Sequence, residues 1–87
     1  MNRDLLIEFI SNMRNGEVAQ LYDKDNKDIV VSKEDGFYVV ELWSERKVKK
    51  ETADINLMGV FIELDRLDFK CEDCHVSYIV SVKTIEF

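Results

Sequence analysis

Cysteine and histidine side chains stand close together in one short segment, Cys71-Glu72-Asp73-Cys74-His75. Two thiolates and an imidazole suit the tetrahedral coordination of zinc. The same spacing matches the C-x-x-C-H pattern of covalent haem attachment. Because the sequence has no second pair of cysteines, a zinc ion would have to be shared between two chains. We therefore predict no cofactor, with zinc bound by Cys71, Cys74 and His75 as the alternative.

Haem and redox chemistry are disfavoured for this segment. Haem attachment needs an exported chain, and residues 1–4 lack the charge pattern of a secretory signal. A redox dithiol lowers its thiolate pKa at a helix start, whereas Glu72 and Asp73 between the sulfurs would raise it. Reduced thiols beside a turn in a reducing compartment are the simpler interpretation.

Catalytic constellations are not evident. His75 is the single histidine, and nucleophilic catalysis needs a nucleophile, a base and a group that orients the base. Asp65 and Asp68 have helical spacing, which is typical of a hydrated rim. Asp23, Asp25 and other acids partly match a calcium loop, but its central glycine is missing. We expect a binding protein and not an enzyme.

Composition limits the size, partners and location of this protein. Its 87 residues are 46% hydrophobic, which predicts a single folded domain over residues 1–87. No apolar run approaches the roughly 20 residues that span a bilayer, and with no signal-like start we expect a cytoplasmic protein. We expect it to be a monomer or a dimer. The net charge of −6 opposes direct nucleic-acid binding. It favours a larger basic protein partner, although a charge of this size also serves solubility.

Hydrophobic periodicity predicts an α+β fold. Residues 5–13 repeat at helical spacing, residues 18–22, 29–31 and 37–43 read as an antiparallel three-stranded meander, and Gly36 suits a tight hairpin. Residues 44–52 read as a charged connector. Residues 54–66 predict a second helix whose polar face includes Glu63, and residues 75–85 predict a last strand. The predicted fold is a four-stranded sheet with both helices on one face.

Acidic residues from the first hairpin turn and from the region of the second helix are predicted to form a partner-binding rim, to which aromatic side chains add affinity. The predicted partner-binding residues are Asp23, Asp25, Asp28, Glu63, Asp65, Asp68, Glu72, Asp73, Tyr22 and Trp43.

In size, charge and order of elements, the chain resembles the short acidic α+β inhibitors of phages and mobile elements, including anti-CRISPR and other anti-defence proteins. It also resembles toxin-immunity proteins. The resemblance implies an inhibitor that blocks a basic nucleic-acid-processing enzyme or a toxin, and it transfers no residue roles, since no family motif is matched. A zinc-linked regulatory or assembly protein and a subunit that pairs through an open sheet edge are the alternatives.

Overall fold

The computed structural model describes residues 2–79 and confirms the α+β fold class. Its strands form one antiparallel sheet in the order β4-β3-β2-β1-β5. In chain order, the elements are α1 (Arg3–Ser11), β1 (Val18–Tyr22), β2 (Asp28–Glu34), β3 (Phe37–Ser44), β4 (Lys47–Ile55), α2 (Leu57–Arg66) and β5 (His75–Ile79).

The sheet has five described strands where the sequence predicted four. The predicted connector, residues 44–52, contains most of β4, which pairs with β3 through a ladder interrupted by two register shifts. Charged side chains are common on edge strands because they discourage pairing with other chains, and they concealed this strand in the sequence. The predicted last strand is observed as β5, and residues 80–85 lie outside the described part of the chain.

Two hairpins of the meander close through two-residue turns in which both residues have positive φ. Asp35 and Gly36 join β2 to β3 with φ of 50° and 86°, which confirms the predicted role of Gly36. Glu45 and Arg46 join β3 to β4 with φ of 54° and 65°. Such turns match the twist of the paired strands but favour Asn and Gly, so the sequence did not indicate the second one.

Both helices begin at an asparagine that caps them. The Asn2 side chain accepts from the backbone N–H of Leu5 at 2.9 Å, and the Asn56 side chain accepts from that of Gly59 at 2.8 Å. These bonds satisfy amide groups that a helix start leaves without partners. Within residues 2–79, neither helix is long and apolar enough to cross a membrane.

The core lies between the helices and one face of the sheet, because alternate strand residues point to the same side. Leu6 and Ile10 of α1 and Val60 and Leu64 of α2 are fully buried. The sheet residues buried with them are Ala19, Leu21, Ile29, Val31, Tyr38 and Val40.

Candidate functional site

The opposite side of the sheet, which we call the open face, is where acidic and aromatic side chains meet. Its members alternate with the buried strand residues, and each of them is partly or fully exposed. The register assigns to the open face Val18, Gln20, Tyr22, Asp28, Val30, Ser32, Glu34, Phe37, Val39, Glu41, Trp43, Val48, Glu51, His75 and Ser77.

Charge is segregated between the two sides of the sheet. The strand acids Glu34, Glu41, Glu51 and Asp28 lie on the open face, whereas the register places three strand lysines on the helix side. The three lysines on the helix side are Lys33, Lys47 and Lys50. Lys49 lies at a register shift of β4 and is assigned to neither side.

Two of these lysines have identifiable roles on the helix side. The Lys33 ammonium donates to the Met13 carbonyl at 3.2 Å and lies 5.3 Å from the centre of the Tyr38 ring. The Lys50 ammonium lies 3.7 Å from a carboxylate oxygen of Glu63. Lys33 and Lys50 therefore serve internal contacts, whereas Asp28, Glu34, Glu41 and Glu51 remain on the open face.

Glu41 and Glu51 are paired across β3 and β4 on the open face. Burial raises the pKa of Glu41, and a hydrogen bond and repulsion from Glu51 raise it further, against the lowering effect of Trp43. The Trp43 indole N–H donates to Glu41 Oε1 at 3.2 Å, which fixes the ring beside the carboxyl group. Like charges directly opposite each other destabilise a sheet.

A cleft of about 510 Å³ opens at one end of the open face. Gln20 Nε2 donates to the Tyr22 hydroxyl at 2.5 Å and to Asp28 Oδ1 at 3.2 Å, so one amide positions both side chains. The cleft is lined by Tyr22, Asn26, Asp28, Trp43, Ser44, Glu45 and Arg46.

Two predicted rim acids, Asp23 and Glu63, are only 3% exposed, and their placement on an exposed rim is corrected. Asp23 Oδ1 accepts from the backbone N–H groups of Asp25 and Lys27, and its Oδ2 accepts from that of Lys70. Asp23 therefore shapes the β1–β2 turn and fastens it to the segment after α2, because a buried carboxylate needs such donors.

Glu63 has an equally internal role. Its carboxylate accepts from the Thr52 hydroxyl at 2.9 Å and lies within 3.7 Å of the Lys50 ammonium and 4.0 Å of the Arg66 guanidinium. These contacts join α2 to β4. Helical periodicity predicted that Glu63 lies on an outward polar face. The prediction was wrong because β4, which covers this face and supplies the partners of Glu63, was not predicted.

Other predicted rim acids are neutralised or stand apart from the cleft. Asp65 lies 3.2 Å from Arg3, and Lys70 at 2.8 Å lowers the pKa of Asp68. The remaining exposed acids of the predicted rim are Asp25, Glu72 and Asp73. Of the predicted binding residues, the structure brings together Tyr22, Asp28 and Trp43.

The cysteines lie in the interior, and His75 is exposed at the start of β5. Burial raises the pKa values of Cys71 and Cys74, which keeps both thiols protonated at neutral pH. The Arg3 guanidinium donates to Cys71 Sγ at 3.8 Å. Within residues 2–79, no three His, Cys, Asp or Glu side chains are arranged to hold a metal ion.

A smaller groove of about 300 Å³ separates the two helices on the other side of the molecule. It is lined by Arg3, Ile7, Leu57, Met58 and Phe61, and the Arg3 guanidinium lies 5.1 Å from the Phe61 ring centre. Met58 is 73% exposed beside it.

Sequence reasoning missed Gln20, Glu41, Glu45 and Glu51 as parts of the site. The alternation in residues 37–43 would have placed Glu41 on the same face as Trp43, but Glu51 needed the register of β4. No family model, no curated protein and no solved structure matches the chain.

Proposed function

We propose that the chain is a protein-binding module whose open face engages a larger, basic protein. The observation that supports this is the charge segregation of the sheet: Glu41, Glu51 and Asp28 lie on the open face, while Lys33 and Lys50 are used on the helix side. Complementary potentials steer encounter and fix the register of an interface.

The aromatic residues of the open face contribute binding affinity that charge alone does not provide. Tyr22 and Trp43 are exposed or partly exposed beside the acids, and Phe37, Val30 and Val39 continue the apolar surface along the sheet. Interfaces owe most of their affinity to a few buried aromatic or arginine anchors within a polar rim. The open face combines such anchors with a negative rim.

The expected consequence of binding is inhibition. A negative surface that covers the basic groove of a nucleic-acid-processing enzyme, or the basic surface of a toxin, competes with the anion that the groove normally binds. We expect the partner to be encountered in the cytoplasm, where Cys71 and Cys74 stay reduced.

The test uses the full chain immobilised as bait for proteins of a host lysate at low and high salt. The variant Glu41→Gln/Glu51→Gln removes two charges from the open face, and the matched control Glu72→Gln/Asp73→Asn removes two from the α2–β5 segment. We expect a basic protein that binds the wild type and the control but is lost from the open-face variant and at high salt. The enzymatic or toxic activity of the captured basic protein should fall as the chain is added in increasing amounts.

Two results would overturn this proposal. One is recovery of no basic protein at either salt concentration. The other is a captured protein that loses as much binding with the control variant as with the open-face variant, because the contact would then lie elsewhere.

A further inference from the structure

We infer that the cleft between Tyr22 and Trp43 is a pocket for an arginine side chain of the partner. This inference rests on the proposed function, since it names the group that the open face recognises. The relevant row of the sheet runs across three strands: Tyr22 of β1 is the Cα partner of Asp28 of β2, which is the partner of Trp43 of β3.

The spacing of this row suits a planar group. Neighbouring strands lie about 4.7 to 4.9 Å apart, so strands separated by one other strand are about 9 to 10 Å apart. Tyr22 and Trp43 have this relationship, with Asp28 between them in the same row. Aromatic and guanidinium planes stack at van der Waals contact, and the gap leaves room for one such plane against a ring.

Asp28 gives the cleft a negative charge that a cationic ligand can complement. Asp28 Oδ1 accepts a hydrogen bond from Gln20 Nε2, which orients the carboxylate. Among residues 2–79, no lysine or arginine forms an ion pair with Asp28 or with Glu45 at the rim. A cationic side chain of the bound protein would form an ion pair with Asp28.

Arginine fits this pocket better than lysine. A guanidinium is planar, stacks on aromatic faces and donates two parallel bonds to a carboxylate, whereas an ammonium is a compact and strongly hydrated point charge. The cation–π contacts recorded within residues 2–79 involve Phe61 and Tyr38, so the faces of Tyr22 and Trp43 are not occupied by a cation of the described chain. Arg46 lies at the rim and opposes an incoming cation.

The test exploits Trp43, the single tryptophan of the chain. Its fluorescence and its indole N–H resonance report on the pocket while the full chain is titrated with a blocked peptide of arginines spaced by glycines. Matched peptides carry lysine or the neutral isostere citrulline. We expect saturable changes with arginine, several-fold weaker binding with lysine and none with citrulline.

Variants locate the binding. Asp28→Asn keeps an oxygen for Gln20 but removes the charge, and we expect its dissociation constant to rise about tenfold or more, as for a lost charge-assisted bond. Arg46→Ala should tighten binding, and Glu72→Gln, which removes a distant charge, should leave it unchanged. Equal binding of citrulline and arginine, equal binding of lysine and arginine, or an equal loss in Glu72→Gln and Asp28→Asn overturns the inference.

The experiments distinguish failure of the arginine-pocket inference from failure of the proposed function. If the captured partner depends on Glu41 and Glu51 but Trp43 does not respond to arginine, the open face binds and the pocket assignment is wrong. If arginine binds at Asp28 and the lysate yields no basic protein, the pocket stands and the proposed function is wrong.

Discussion

Glu41 and Glu51 are Cα partners across β3 and β4, and burial together with the neighbouring Glu51 carboxyl group raises the pKa of Glu41. Like charges directly opposite each other on adjacent strands repel. The pair therefore opposes folding when both groups are ionised. If the open face binds a basic protein as proposed, that protein would relieve the repulsion between Glu41 and Glu51 on binding.

The pH dependence of stability tests this pair. Since the pKa of Glu41 is raised above its ordinary value of 4.5, protonation favours the folded state. The contribution is complete below 4.5 and is lost as pH rises through the folded-state pKa. Glu41→Gln should therefore raise the free energy of unfolding at pH 7 by a few tenths of a kcal/mol, a modest gain because water screens the pair.

Urea denaturation at pH 7 and at pH 4 measures this effect. The gain of Glu41→Gln over the wild type should shrink towards zero at the lower pH. Glu72→Gln is the matched control and should show little change at either pH. A gain that persists undiminished at pH 4 would show that ionisation of Glu41 is not its cause.

Gly59 offers a second test, since the usual effect of a helical glycine should be reversed there. Replacing a helical glycine with alanine ordinarily stabilises a protein by about 1 kcal/mol. Here an added Cβ would lie 2.9 Å from Ile55 Cβ and 3.5 Å from Asn56 Oδ1. We expect Gly59→Ala to lower the free energy of unfolding by about 1 kcal/mol or more, because overpacking outweighs helix propensity.

Thermal and urea denaturation measure this loss. Met58→Ala on the neighbouring residue is the control, and since Met58 is 73% exposed its stability should change little. If Gly59→Ala proved more stable than the wild type, α2 would not approach the end of β4 as closely as the structure shows.

The elements that the sequence predicted are those with strong local periodicity. Residues 37–43 alternate between Tyr38 or Val40 on one side and Glu41 or Trp43 on the other, and this pattern predicts a strand. β4 was not predicted because its alternation is masked by lysines, and its place in the fold depends on distant partners. Lys50 and Thr52 acquire theirs from Glu63 of α2.

The candidate site was predictable only in part for a related reason. Tyr22, Asp28 and Trp43 were each predicted to bind a partner from their residue types. Their common row depends on the pairing of three strands, which fixes neighbours far apart in sequence. Acidity alone could not separate Asp23, a buried acceptor of backbone N–H bonds, from acids that face solvent.

Glu63 should behave as a structural residue and not as a binding residue. Because its buried carboxylate accepts from Thr52 and attracts Lys50, Glu63→Ala should lower the free energy of unfolding by about 2 kcal/mol. Glu63→Gln keeps an acceptor for Thr52 and should cost about half as much. Asp65→Asn is the surface control, with an expected change of roughly 0 to 1 kcal/mol.

Urea denaturation gives these values, and arginine-peptide titration adds a second readout. Folded Glu63→Gln should bind the peptide as the wild type does. A loss of peptide binding in Glu63→Gln at unchanged stability would show that Glu63 takes part in binding.

The buried cysteines predict slow thiol chemistry. Cys71 and Cys74 are 6% and 2% exposed, and burial raises both thiol pKa values. Alkylation of the folded chain should be at least about a hundredfold slower than in urea, because it must await local opening. Mass spectrometry of timed iodoacetamide reactions measures the two rates.

A chelator arm of this experiment addresses zinc. Alkylation rates and melting temperature should be the same with and without a strong chelator if the thiols are protected by packing. Faster alkylation together with a lower melting temperature after chelation would instead show a metal bound through Cys71, Cys74 and His75.

The turn between β3 and β4 should accept a more stable sequence. Glu45 and Arg46 both have positive φ, a conformation that is unfavourable for residues with long side chains and suits Asn-Gly. Glu45→Asn/Arg46→Gly should raise the free energy of unfolding by about 1 kcal/mol. Asp35→Asn, in a turn that already contains Gly36, is the control and should change stability little. Urea denaturation measures the free energy of unfolding of both variants. Destabilisation by the double substitution would mean that Glu45 or Arg46 makes a contact that outweighs its backbone strain.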